Sequence, residues 1–202
     1  MCLLYRLDAP AAEVARIFDA DPGDDPWDGG YVAPGRFAPV VIMRDRRRRI
    51  VPRLWGVPPP PRVASPVCNV RNLESPFWIG SLRHTEFRCL VPATRFMEWG
   101  GTKGARVQHW FSVPSEPVFA IAGLWRDSEM PSFAFLTCEP NSVVAAVHPR
   151  AMPVLLHKED WDRWLTADWK EARLLADPFP SQLMIDEPVA MSAKASRAGA
   201  QT

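Results

Sequence analysis

Proline constrains this chain more than any other residue type. The 202 residues include 22 prolines. A residue that fixes φ and lacks a backbone N–H is excluded from helix interiors and central strands. The run Gly56-Val-Pro-Pro-Pro-Pro61 is the extreme case and predicts a stiff extended loop. Between the breaks lie short β-branched and aromatic runs: Phe87–Val91, Arg95–Trp99, Val107–Val113, Val118–Trp125 and Ser132–Cys138. Gly100-Gly101-Thr102 and Asp127–Pro131 read as turns between them. Upstream, residues 2–7 begin a strand. Pro39–Met43 and Ile50–Trp55 flank Asp45 and four arginines, which predicts a hairpin with a charged tip. Those arginines stand in solvent or meet a DNA backbone.

Helical signals sit at the flanks. Asp8 is placed to cap a short helix with Pro10 in its first turn and Val14, Ile17 and Phe18 on one face. Residues 20–36 read as a loop. Ser75-Pro76 opens a helix over Phe77–Leu82, and Asn141 or Ser142 caps another running to Val147. Val154–Leu156 is one more short strand. Lys158–Leu165 is amphipathic, with Trp161, Trp164 and Leu165 together, and Trp169–Leu175 adds another turn or two. The fold class expected is α+β: a mostly antiparallel, barrel-like β core flanked by short helices. One domain is expected over residues 1–185, with residues 186–202 a small, polar, disordered tail.

Bulk charge does not announce a partner, because 24 Lys and Arg oppose 23 acidic residues for a net charge of +1. Any phosphate site must come from local clustering of arginine. There is no apolar run of the ~18 residues that a membrane span needs, and the opening MCLLYRLDAP is unlike a signal peptide. A cytoplasmic protein without membrane contact is expected. The four cysteines, Cys2, Cys68, Cys89 and Cys138, form no CxxC pair, so neither a zinc site nor a disulfide framework is expected. The last three are expected as small buried apolar side chains. No metal or other cofactor is called for. Nine tryptophans predict a core, or a groove, built from large flat rings.

The residue with the most chemistry is Cys2. Initiator Met is removed when a small residue follows it, which leaves an α-amine and a thiol on adjacent carbons. An α-amine titrates near ~7.7–8.0, so part of it is neutral and nucleophilic at neutral pH. Such a pair condenses with an aldehyde to an imine, and the thiol then closes a five-membered thiazolidine. Three further segments carry candidate groups. Asn69 and Arg71 lie two apart, on one face if the segment is extended. Glu98 precedes Trp99 in a strand of bulky apolar residues, where desolvation raises a carboxyl toward values useful for acid–base work. His148 starts a proline-interrupted loop. Each has a plain structural alternative: Asn69 caps a turn, Glu98 pairs with Arg71 or Arg95, and His148 is a surface loop residue.

Taken in order, the motifs carry more than any one alone. They are Met1-Cys2, the N-x-R-x-x-E of Asn69–Glu74, the RCLVPA-x-x-F-x-EW of Arg88–Trp99, and the AGLW of Ala122–Trp125. Thr137 then ends a strand before Asn141, and His148-x-Arg150 is followed by Met152-Pro153. Over about residues 1–157 this resembles the SOS response-associated peptidase family, whose members include proteins that crosslink to abasic DNA. The resemblance implies that Cys2 is the nucleophile, that Asn69 orients its amine, and that Glu98 is the general acid and base. It implies that His148 donates a proton to open the abasic sugar, and that Cys2 also removes Met1 by self-proteolysis. It implies DNA contacts for Thr137, Arg71 and Arg150, with the forked guanidinium suited to phosphate. Arg6 stands near the place of an arginine in the family's usual MCGRY opening, which here reads MCLLYRL. The Val57–Pro61 segment replaces a proline-tryptophan segment, leaving Pro58 to wedge against a base and Trp55 or Trp78 to stack on one. Ala151 adds one residue to the usual H-x-R-M-P spacing. The partner implied is single-stranded DNA bearing an abasic site, including fork or junction DNA, bound by a monomer that joins the nucleoid on damage. Two other readings are a cysteine peptidase acting on other proteins and a non-covalent single-stranded DNA-binding module.

Overall fold

The structure, a computed structural model, describes residues 2–102 and 105–190. The chain opens with β1 (Tyr5–Leu7), α1 (Ala11–Phe18), β2 (Ala20–Asp21) and β3 (Gly30–Val32), followed by the hairpin β4 (Phe37–Arg44) and β5 (Arg47–Trp55). After the proline loop come β6 (Asn69–Val70) and α2 (Ile79–Arg83), then β7 (Arg88–Ala93), β8 (Arg95–Thr102), β9 (Ala105–Ser112), β10 (Phe119–Arg126) and β11 (Ser132–Cys138). The last part holds α3 (Ser142–Ala145), β12 (Met152–Pro153), β13 (Leu155–Leu156), α4 (Trp161–Thr166), α5 (Trp169–Ala172) and β14 (Ile185–Ala190).

Antiparallel pairing runs β5-β4-β7-β10-β11, and a parallel β11–β5 contact (Ser132 opposite Leu54, Phe133 opposite Trp55) closes the ring. Closure removes the open edges that such strands would otherwise expose. A second sheet, ordered β14-β9-β8-β1-β3, lies beside the barrel. The barrel interior is aromatic. Tyr5 meets Trp55 edge-on at 5.2 Å between ring centroids, and Trp55 stacks on Phe135 at 5.1 Å. Cys68, Cys89 and Cys138 are free thiols buried in this core.

Several local expectations give way to particular contacts. The cap of α1 is Pro10, not Asp8, and makes no side-chain bond. Asp8 is instead engaged by Arg6 and Thr94. The loop over 20–36 contains β2 and β3, which add to β5 and β1. Gly100-Gly101-Thr102 belongs to β8, because all three pair with β9; residues 103 and 104 lie outside the described residues. The largest correction concerns the tail. Residues 186–190 are not disordered but form most of β14, paired along its length with β9. It is a mostly exposed edge strand, so burial imposes no apolar alternation on it, and Pro188 is tolerated at an edge. The rest of the expected tail, 191–202, lies outside the described residues.

Candidate active site

Register brings the first residues of the chain to the site. Tyr5 pairs with Phe96 and Arg6 with Arg95, while Met97 donates its N–H to the Leu4 carbonyl at 3.0 Å. This brings Cys2 to β8, where its thiol lies close to the Met97 backbone and the Glu98 carboxyl. Cys2 is 1% exposed, and its Sγ lies 3.4 Å from the Leu4 carbonyl. Burial, reinforced by the nearby Glu98 carboxyl, pushes the Cys2 thiol up to about 12. The sulfur is therefore a thiol, not a standing thiolate.

Asn69 reaches the same place from β6, whose parallel pairing with β11 sets Asn69 opposite Phe135. Its Nδ2 donates to the Cys2 carbonyl at 3.2 Å, while its Oδ1 is buried without a hydrogen-bond partner. Glu98 is 4% exposed, and its Oε1 is likewise buried and unpartnered. Burial raises the Glu98 carboxyl above its ordinary value, and the nearby His148 only partly opposes this. His148 Nδ1 is 4.0 Å from Glu98 Oε2 and 3.0 Å from the Ala151 carbonyl. A carbonyl only accepts, so Nδ1 carries the hydrogen. The additional residue Ala151 thus supplies the oxygen that orients the His148 ring.

Cys2, Asn69, Glu98 and His148 therefore converge. Neither Arg71 nor Arg95 pairs with Glu98. Arg71 forms a close ion pair with Glu139, and Arg95 lies 3.4 Å from Glu187. Polar atoms buried without partners cost about 1–3 kcal/mol each. Two of them around Cys2 mark a place arranged for something other than stability.

The expected DNA contacts are placed less uniformly. Arg71 stands at the surface, lining a shallow depression of about 340 Å³ with Leu73, Thr137 and Glu139. Thr137 is buried, its hydroxyl 3.4 Å from the Val70 carbonyl. Arg150 is exposed just after His148, and Pro58 is exposed on the proline loop. Arg6 is held by Asp8 at 2.6 Å and lies over the Tyr31 ring at 4.4 Å. Trp55 is a correction: it is fully buried, and its Nε1 donates to the Cys68 carbonyl at 3.1 Å, so no base can stack on it. Trp78 is buried too, under the Arg126 guanidinium. The exposed ring near the site is Trp99, 40% exposed, with Arg106 at 5.9 Å. Successive side chains on a strand point to opposite faces, so an inward Glu98 turns Trp99 the other way, although Met97 on that same side is buried. A larger cavity, about 580 Å³, lies at the β4–β5 tip among Asp19, Asp21, Arg46, Arg47, Arg48 and Asp162. None of the four converging residues lines it, and Arg48 there is already bound to the Phe18 carbonyl and Asp162 at 2.7 Å each.

The family model described as SOS response associated peptidase (SRAP) matches residues 1–194. The chain belongs to this family. Solved structures with the SRAP chain's fold include a protein from Bacteroides thetaiotaomicron, with a TM-score of 0.78 at 20% identity over 96% of this chain and 93% of that one. Another, from Bordetella bronchiseptica, gives a TM-score of 0.75 at 20% identity, covering 94% of this chain and all of the other (100%). A phage-related protein from the same organism gives 0.73 at 19% identity over 93% and 94%. No curated protein matches the chain. Among the described residues of this SRAP protein, no helix is long and apolar enough to cross a membrane.

Proposed function

We propose that this protein captures abasic sites in single-stranded DNA covalently, through a thiazolidine formed by Cys2 after self-proteolytic removal of Met1. The observation that carries the reading is the setting of Cys2. It is the residue that gains an amine beside its thiol on loss of Met1, and Asn69, Glu98 and His148 converge on it, the first two each with a buried oxygen that has no hydrogen-bond partner. Asn69 grips the Cys2 carbonyl and so orients the amine. His148 passes a proton to the ring oxygen of the abasic sugar as the C1′ hydroxyl loses its own, exposing the aldehyde.

The amine then attacks the aldehyde carbon. The raised Glu98 carboxyl protonates the resulting carbinolamine hydroxyl, which leaves as water and yields an iminium. The Cys2 sulfur adds to the iminium carbon, and its proton passes to the Glu98 carboxylate. One water is released and Glu98 is restored. For self-cleavage, Cys2 sulfur attacks the Met1 carbonyl carbon, the Cys2 amine departs with a proton, and water hydrolyses the thioester. A thiol held protonated by burial suits one slow self-cleavage and an addition to an imine. It does not suit turnover of other proteins. Arg71 and Arg150 serve as sequence-independent phosphate contacts, Pro58 as a contact to a base, and Trp99 as a stacking face.

The test is denaturing-gel mobility after mixing the protein, with Met1 loss verified by mass, with single-stranded DNA carrying one abasic site. A slow band that needs both the lesion and Cys2, and is absent for Cys2→Ala and for intact DNA, is the expected result. No band from protein lacking Met1 overturns the proposal.

A further inference from the structure

A second polar pair lies on the same sheet face as Glu98. His109 sits directly opposite Glu98 in the β8–β9 register, and residues so paired project to the same side, their Cβ atoms about 5 Å apart. His109 Nδ1 is 2.8 Å from Asp186 Oδ2, and Asp186 Oδ1 is buried with no hydrogen-bond partner. Asp186 comes from β14. Its partner His109 leans over Gly100, where an added Cβ would start 2.6 Å from His109 Nε2 and 3.2 Å from Val147 Cγ1. The imidazole and the residue preceding His148 therefore crowd the same point on β8, and that point is bare because residue 100 is glycine.

The segment leading into β14 also grips the support of His148. Asn141 caps α3 by accepting from the Val144 N–H at 3.0 Å, and its Nδ2 donates to the Phe179 carbonyl at 2.7 Å and approaches Met184 Sδ at 3.1 Å. His148 N–H in turn bonds the Val144 carbonyl at 2.8 Å. One continuous stretch, Phe179–Ala190, thus ties α3 on one side to β9 on the other. These are the neighbours of His148 and of Glu98.

We propose that β14 is a strap that sets the spacing of Glu98 and His148, with Asp186 and His109 as its positioning residues. The inference rests on the reading above for its chemistry but not for its geometry. The ionisable groups on the pair's side are Glu98 on β8 and His148 in the loop after α3, while Arg95, Arg106 and Glu187 project from the opposite face of the sheet. Arg95 and Glu187 are already paired at 3.4 Å. The Glu98–His148 gap of 4.0 Å is just longer than a hydrogen bond. A small shift there changes how strongly the imidazole and the carboxyl act on each other's protonation.

The experiment compares Asp186→Asn and His109→Gln with the parent protein. Crosslinking rate is followed against pH, binding to intact single-stranded DNA is measured alongside, and the His148 ring protons are titrated by NMR. The expected result is crosslinking slower by about tenfold, with a displaced pH–rate midpoint, a displaced His148 titration and unchanged binding of intact DNA. A folded variant with the parental midpoint and His148 titration overturns the proposal. If the parent protein itself forms no crosslink but the His148 titration moves in both variants, the strap stands and the abasic-site reading falls.

Discussion

Arg88 and Glu98 bound the same sequence motif, and both are buried charges, yet the protein treats them oppositely. Arg88 is fully enclosed. Its Nε donates to the Leu82 carbonyl at 2.9 Å, and its Nη1 donates to the carbonyls of Trp164 at 3.1 Å and Ala167 at 2.7 Å. The guanidinium carbon lies 5.5 Å from the Trp164 ring and 5.6 Å from that of Trp169. The group joins α2, β7 and α4. Glu98 has one oxygen with no partner and another 4.0 Å from an imidazole. Three donated hydrogen bonds and two flanking indoles make Arg88 a structural joint, although its Nη2 is buried without a hydrogen-bond partner. The Glu98 carboxyl has no such hold, and is a group placed to take a proton or meet a substrate.

Breaking the joint gives the largest effect. Arg88→Met takes a donor from three carbonyls, two of them in buried hydrogen bonds, and removes the cation from beside two indoles. Loss of about 3–5 kcal/mol is expected, a fall in Tm on the order of 10 °C for a chain of this size. Urea denaturation measures it. Variant that remains folded should still crosslink, because Arg88 touches none of the converging residues. A stable Arg88→Met protein would remove the distinction between the two sites.

Glu98→Gln sharpens the contrast from the other side. Crosslinking should slow by about 10²-fold or more, since the amide neither gives nor takes the proton that the condensation moves. Stability should rise at neutral pH, by about 1 kcal/mol. Burial makes the folded Glu98 hold its proton more tightly than the unfolded chain does. Between the two values the folded state binds more protons, so stability is full below the unfolded value and falls as pH rises through the folded one. Parent and variant should converge in Tm at acid pH and separate toward neutral pH. A variant less stable than the parent across that range would mean that Glu98 is as well satisfied as Arg88.

Legibility in the sequence follows the same division. The β7–β8 segment was readable because its information is contiguous: alternation places Glu98 inward among apolar residues, and the motif names its neighbours. Ser132–Cys138 matches β11 residue for residue, bounded as it is by Pro131 and Pro140. His109 and Asp186 were invisible because their meeting depends on an edge strand with no apolar pattern. Trp55 misled because a tryptophan near a proline loop reads equally as groove or core; only the closure of β11 on β5 buries it. Spacing alone puts Asn69 and Arg71 on one face of an extended segment, but one turns in to Cys2 while the other meets Glu139 at the surface.

The surface pair supplies the smallest test, because Arg71–Glu139 is neither joint nor vacancy. Glu139 is 75% exposed and Arg71 39%, so the pair contributes little to stability. Its consequence lies in what it withholds. A guanidinium engaged by a carboxylate gives up that partner before it receives a phosphate, and the carboxylate repels the incoming strand. Glu139→Gln should leave Tm unchanged and tighten binding to intact single-stranded DNA by about threefold at low salt. The dependence of log Kd on log salt should also steepen, toward one additional neutralised phosphate. Arg71→Ala should do the reverse. Equal affinity in Glu139→Gln and the parent at every salt concentration would place the strand elsewhere and leave Arg150, exposed two residues after His148, as the phosphate contact to examine.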